Sequence, residues 1–176
     1  MKKLLAFSFL VALLLTTSFK GFSQSFSKGD KIVNLGIGLL GFGGYASAEF
    51  GIQDNIGIGP IIGYTYYNAG LFSGYGSDYS YGQFRAGARG AYHLGEVLKM
   101  KDEKFDPYVA LSVGVVSERN SITYNTITQN YEYGNRLAPF FNPRVGARME
   151  LSNNLGGYAE LGWGGSWIQA GISFKL

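Results

Sequence analysis

From Val33 to Leu176 the chain alternates between apolar positions and polar or glycine positions with a period of two. This is the spacing of a β-strand whose two faces meet different surroundings. The alternation predicts eight strands. Their apolar faces run Val33–Leu39, Ala46–Ile52, Ile56–Tyr66, Phe84–Leu94, Val109–Val115, Phe141–Leu151, Ala159–Trp163 and Ile168–Leu176, and no charged residue falls on any of them. The opposite face carries Glu49, Gln83, Arg85, Arg89, His93, Glu118, Arg144, Arg148, Glu150, Glu160 and Lys175, interspersed with Gly36, Gly57, Gly59, Gly63, Gly87, Gly114, Gly146 and Gly171. Glycine weakens a strand unless space demands it, so its concentration on one face predicts that this face is crowded. Gly90 is the exception, on the apolar side.

The two faces decide which is outside. A soluble barrel points its apolar face inward and covers itself with Lys, Glu and Thr rather than Gly. Here the polar face mixes Gly with a few long charges, the composition of a narrow filled lumen. The apolar face has Ile, Val, Leu and Ala with aromatics toward the strand ends, the composition of a lipid-facing wall. The reading is an all-β fold: an eight-stranded antiparallel up-and-down transmembrane β-barrel with a filled polar lumen. With strands alternating up and down, Tyr64, Tyr66, Phe84, Phe141 and Trp163 gather near one rim and Phe50, Tyr92 and Phe174 near the other. An aromatic ring meets hydrocarbon there while a polar tip stays wet.

The first residues follow another pattern. Lys2 and Lys3 precede an apolar run from Leu4 to Leu15, and the small residues Gly21 and Ser23 suit a cut before Gln24. This is the order of a secretory signal peptide, so 1–23 is expected to be removed and 24–176 to form a single barrel domain. The leader takes Lys2, Lys3 and Lys20 from the 15 Lys and Arg and none of the 12 Asp and Glu, which leaves the remaining chain formally neutral. The basic balance of the whole sequence therefore points to no nucleic-acid partner. With no Cys, there is no disulfide framework, Cys-ligated zinc or thiol chemistry.

Turns set the expected register. Short connections fall at Gln53–Asn55 and Asn153–Leu155, with a longer charged stretch at Gly95–Asp106; the other end has Leu40–Gly44, Asn68–Ser80, Arg119–Ala138 and Gly164–Ser166. A three-residue turn at Asn153–Leu155 sets Ser152 opposite Gly156 and Arg148 directly across from Glu160. An unpaired charge in a dry lumen is costly, so Glu49, Glu150 and Glu160 are expected to share Arg85, Arg89, Arg144 and Arg148 in one network.

The strand count, the alternation, the lumen charges and the last strand "WIQAGISFKL" together resemble the small eight-stranded outer-membrane β-barrels of Gram-negative bacteria. These are the outer membrane protein X and outer membrane protein A transmembrane-domain types, in the broad outer membrane protein beta-barrel domain group. The leader context "GFSQS" resembles that of Bacteroidetes-type bacteria. The resemblance covers Ser25 to Leu176 and implies residence in the bacterial outer membrane, contact with lipid and lipopolysaccharide, and insertion by the barrel assembly machinery through the terminal strand. That strand ends in Leu176 rather than Phe, with Phe174 two residues earlier.

Three classes of function compete. The segments "NAGLFSGYGSDYS" (68–80) and "NSITYNTITQNYEYGNRLA" (120–138) are rich in Tyr, Ser, Asn and Gly, which suits surface interaction with an extracellular ligand. A narrow porin-like channel is the alternative, although eight strands leave an interior that side chains fill. A lipid-modifying enzyme needs a mutually oriented base and nucleophile, and His93, the one histidine, has no Ser at an informative spacing. The expectation is a non-enzymatic protein without cofactor or metal. "GLLGFGG" near Gly38 lacks the Lys-Ser/Thr and helix of a phosphate loop, and no His/Asp/Glu set has metal spacing.

Overall fold

The computed structural model describes residues 26–39, 42–68, 77–100, 104–124, 130–152 and 154–176; the predicted leader lies outside them. Eight strands follow one another: β1 (Lys31–Gly38), β2 (Phe42–Gln53), β3 (Ile56–Asn68), β4 (Ser77–His93), β5 (Phe105–Tyr124), β6 (Asn130–Ser152), β7 (Leu155–Gly162) and β8 (Ile168–Lys175). Each pairs antiparallel with the next, and β1 pairs with β8 to close a barrel. Closure removes the free sheet edges along the shared height of the wall. Both described chain ends lie at one mouth, called here the near mouth; the ends of β1, β3, β5 and β7 and the starts of β2, β4, β6 and β8 lie at the far mouth.

The alternation sorts the side chains as the two-fold period requires. Leu35, Val113 and Ile172 stand outside, 45%, 44% and 43% exposed, whereas Arg89 and Glu160 are inside at 6% and 4%. Tyr64, Tyr66, Phe84, Tyr92, Phe141, Trp163 and Phe174 all present their rings outward. Phe84 pairs with Tyr64 near the far mouth; Tyr92 and Phe174 sit on the ends of β4 and β8 at the near mouth.

The crowding predicted from glycine has a specific cause. Tyr45, Tyr108 and Tyr158 turn into the lumen, and each is paired across the sheet with a glycine: Gly63, Gly146 and Gly171. A Cβ at Gly63 would meet the Tyr45 ring, and one at Gly146 would meet Tyr108 at 2.8 Å. The lipid-side exception, Gly90, has nothing within 4 Å of such a Cβ.

Several predicted boundaries move. Strand β7 ends at Gly162, so Trp163 lies in the following turn, its ring 5.0 Å from that of Trp167. Segments read as loops are largely strand: β4 begins at Ser77, and β5 and β6 continue to Tyr124 and from Asn130. The β6–β7 register also differs. A bulge between Glu150 and Ser152 sets Ser152 opposite Leu155 and Glu150 opposite Gly156, so Arg148 pairs with Tyr158 and Glu160 with Gly146. The turn is one residue tighter than expected and the bulge adds one more, so every pair beyond it moves by two positions while each side chain keeps its face. The same device acts at β2–β3, where a shift between Gly51 and Gln53 precedes a turn through Asn55, whose φ is 69°. After β4, Leu94–Met100 forms a single turn, closed by hydrogen bonds from Leu98 N to Leu94 O and Met100 N to Gly95 O. It is tied to the β2–β3 turn by Asn55 Nδ2 donating to Glu96 Oε2.

Candidate functional site

The lumen holds two carboxylate-centred clusters and not the single expected network. Near the terminal mouth, the His93 imidazole lies between two carboxylates: Nε2 is 2.6 Å from Glu49 Oε1 and Nδ1 is 2.7 Å from Asp106 Oδ2. Arg148 spans the same pair, Nη2 to Glu49 Oε2 at 3.1 Å and Nη1 to Asp106 Oδ2 at 3.5 Å. Four side chains from β2, β4, β5 and β6 thereby form a closed ring in which every formal charge faces an opposite one or the imidazole. Phe26, ahead of β1, lies flat on His93 with ring centroids 3.9 Å apart and planes 7° from parallel.

Deeper in the barrel, Glu160 of β7 is gripped by Arg89 of β4 through two bonds of 2.5 and 3.3 Å and receives the Tyr108 hydroxyl at 2.7 Å. Arg144 Nε lies 3.8 Å from the same carboxylate. Bidentate, charge-assisted geometry of this kind is the strong form of the interaction. The Tyr108 ring stands between the clusters, with the Arg89 and Arg148 guanidinium carbons 5.8 and 5.6 Å from its centre.

Two residues expected in the network stand apart. Glu150 lies near the terminal mouth, lining a cavity of about 60 Å³ with Phe26, Lys104, Arg148 and Lys175. Arg85, buried near the far mouth, donates to Gln83 Oε1, and among the described residues its Nη1 has no hydrogen-bond partner. Gln83 in turn donates to Glu118 at 2.9 Å. Backbone carbonyls also hold guanidinium groups at this end: Arg144 Nη2 donates to Gly164 O and Ser166 O, both at 2.9 Å. The β7–β8 connection therefore folds inward. Gly164 and Gly165 supply the left-handed backbone that this requires, at φ 82° and 64°. Ser166 is fully buried, its N–H donating to the Tyr45 hydroxyl at 3.1 Å, and the Tyr67 hydroxyl donates to Gly165 O.

Both mouths are thus stopped, one by Phe26 and the other by the Gly164–Ser166 turn. The cavity at the terminal mouth has room for about two waters. Among the described residues no group of three His, Asp or Glu side chains is arranged to hold a metal ion.

Strand parity alone was enough to place Tyr45, Tyr108, Tyr158 and Asp106 in the lumen, because each shares the even or odd count of the charges on its strand. Phe26 carries no such signal; it precedes the first alternating residue.

No family model matches the sequence, and no curated protein matches it. Solved structures do match the fold. The N-terminal β-barrel domain of Pseudomonas aeruginosa OprF superposes with a TM-score of 0.53 at 14% identity, covering 86% of this chain and 100% of that one. A de novo designed transmembrane β-barrel does so with a TM-score of 0.50 at 17% identity, covering 87% and 100%. Neisserial surface protein A aligns with a TM-score of 0.47 at 15% identity, covering 84% and 94%. The closed eight-stranded sheet and the first two likenesses give the chain the fold of small transmembrane barrels.

Proposed function

We propose that this protein is an integral barrel of the bacterial outer membrane, of the outer membrane protein X type, that presents a projecting sheet to the cell exterior as an interaction surface. The observation that carries this reading is strand length. A membrane-crossing strand needs about 9–11 residues, and β1, β7 and β8 have 8 each, but β5 and β6 have 20 and 23. Pairing continues without a membrane to require it, through Ser77 with Tyr124 and Thr123 with Asn130. Strand β4 begins seven residues before the rim aromatic Phe84, which extends the sheet by about 23 Å along the strand.

The projection has an open side. Strand β7 pairs with β6 only from Arg144 onward and Trp163 reaches Pro143 just beyond it, so among the described residues 130–142 of β6 has a strand partner in β5 alone. Pro143 turns its carbonyl toward the β7 side, where it accepts from Trp163 N at 3.2 Å, and Pro139 shares that direction four residues earlier. Prolines there remove donors from the open edge, a device that discourages uncontrolled strand addition. Recognition is then left to the Tyr-, Ser- and Asn-rich sequence that the projection carries, toward lipopolysaccharide, neighbouring proteins or a host surface.

On this reading the near mouth faces the periplasm, the outer wall meets lipid and the barrel assembly machinery inserts the chain. The role is non-enzymatic: both nitrogens of His93 are held by carboxylates and its ring face by Phe26, which leaves no free base. A porin-like path has little support from a lumen filled by cross-strand ion pairs.

The test is trypsin treatment of intact cells, followed by ligand capture. Cleavage is expected at the exposed Arg119 and Arg136 in whole cells, and at Lys28 and Lys99 only after lysis. Cleavage at the lysines in intact cells reverses the orientation. The folded barrel, arrayed against glycans and envelope extracts, should lose its ligand when 119–138 is replaced by a short turn; retention of all binding by that variant removes the projection from the function.

A further inference from the structure

We propose that Phe26–Asp30 is a displaceable plug, and that undocking of this strap opens the near half of the lumen while the barrel wall and the far cap stay in place. The strap crosses the mouth and is held at separate points around it. The Phe26 ring lies on His93 of β4, and its carbonyl accepts from Asn55 N. Lys28 N donates to Asp54 Oδ1 at 3.0 Å, in the turn after β2. Gly29 N and Asp30 O bond with the O and N of Gly51 at 2.8 Å each. Asp30 also reaches β8, its Oδ2 2.9 Å from Lys175 Nζ.

The contrast with the wall is one of cooperativity. A wall strand is fixed by ladders on both sides, and moving it breaks a closed sheet. The strap is fixed by a few bonds of its own and one aromatic stack, so it belongs to the class of segments that open locally below the cost of global unfolding. It folds back through Gly29 at φ 92° and through Ser27 N donating to Asp30 Oδ2. Gly51 is the seat: a Cβ there would run into Ser27 O of the strap and lie 3.2 Å from Asp30 N. Beneath the strap lie the small cavity, Arg148 and the His93 ring, with Ser173 on the cavity wall. At the other end Ser166 and the carbonyls held by Arg144 and Tyr67 remain as they are. Release of the strap therefore yields a blind vestibule open on the periplasmic side in the orientation proposed above.

The sequence lacks cysteine, so a single introduced thiol reports access. Ser173→Cys places it in the cavity wall at a position that is 2% exposed. Labelling by a small methanethiosulfonate in detergent, read only on protein that keeps its heat-modifiable gel mobility, is expected to be slow with the strap docked. It should accelerate at least tenfold when Phe26→Ala is added, and likewise when Gly51→Ala is added, because that change evicts the strap while leaving both the Phe26 and His93 side chains in the protein. Equal labelling rates in all three folded proteins, whether slow or fast, overturn the proposal. Planar-bilayer recordings of the Phe26→Ala protein should stay silent; steady ion conductance would overturn the blind-ended vestibule. The detergent measurement does not depend on orientation in a membrane, so its failure is separable from that of the outer-membrane reading.

Discussion

Strand β4 lives in two solvents at once. Its outward positions, Phe84, Ala86, Ala88, Gly90 and Tyr92, point away from the lumen; they need only be apolar, with rings at the ends. Its inward positions, Arg85, Gly87, Arg89, Ala91 and His93, each have a particular neighbour: Gln83, the β5 backbone at Gly114, Glu160, the Tyr108 group and the Glu49–Asp106 pair. Hydrocarbon asks for a class of residue, whereas the lumen asks for a residue. The outside should therefore tolerate any change within its class and reject a charge, and the inside should reject changes that conserve class.

The largest expected effect is inside. Glu160→Gln keeps the shape and removes the charge that Arg89 and Arg144 face, and leaving buried guanidinium groups without their carboxylate should cost about 3–5 kcal/mol in a urea titration in lipid or detergent. A loss below about 1 kcal/mol would show that water enters the lumen freely.

Next comes the outside. Val113→Arg puts a cation against hydrocarbon near mid-wall and should cost about 2–4 kcal/mol in lipid vesicles, while Val113→Leu should be within about 0.5 kcal/mol of the parent. Equal cost for both would deny that lipid wets this face.

A smaller contrast uses the same strand. A Cβ at Gly87 would meet the Val113 carbonyl and lie 2.9 Å from the Gly114 Cα, so Gly87→Ala should cost about 1–3 kcal/mol by overpacking. Gly90→Ala has open space and should be neutral or slightly stabilising in the same titration.

The smallest effect tests the register. The couple Arg89–Glu160 should show an interaction energy of about 1–3 kcal/mol in a double-mutant cycle, whereas Arg148→Ala and Glu160→Ala, which meet only through Tyr108, should couple more weakly, by about 0.5 kcal/mol. Strong coupling of the second pair would restore the directly opposed arrangement that a bulge-free turn predicts.

Much of this was readable from the chain, for a physical reason. Period two is enforced at every residue of a wall with unlike sides, so strand number, facing and the lumen position of Glu49, Arg89, Arg148 and Glu160 follow from parity alone. What parity cannot supply is displacement by even numbers. The bulge between Glu150 and Ser152 keeps Arg148 and Glu160 facing inward and still changes their partners. It is also silent beyond the regular strands, which is why the Phe26 strap and the inturned Gly164–Ser166 segment had no counterpart in the pattern. The short far connection at Gly164–Ser166, out of keeping with long external loops, serves as a stopper rather than a display.

The tyrosine–glycine pairs carry a lesson about how such a chain can drift. Tyr45 with Gly63 and Tyr108 with Gly146 each split a fixed volume unequally between two neighbouring staves. Bulk lost from one member can reappear at the other, so inheritance at such sites runs in couples: a descendant that trades Tyr45 for alanine is the one in which position 63 becomes free to grow.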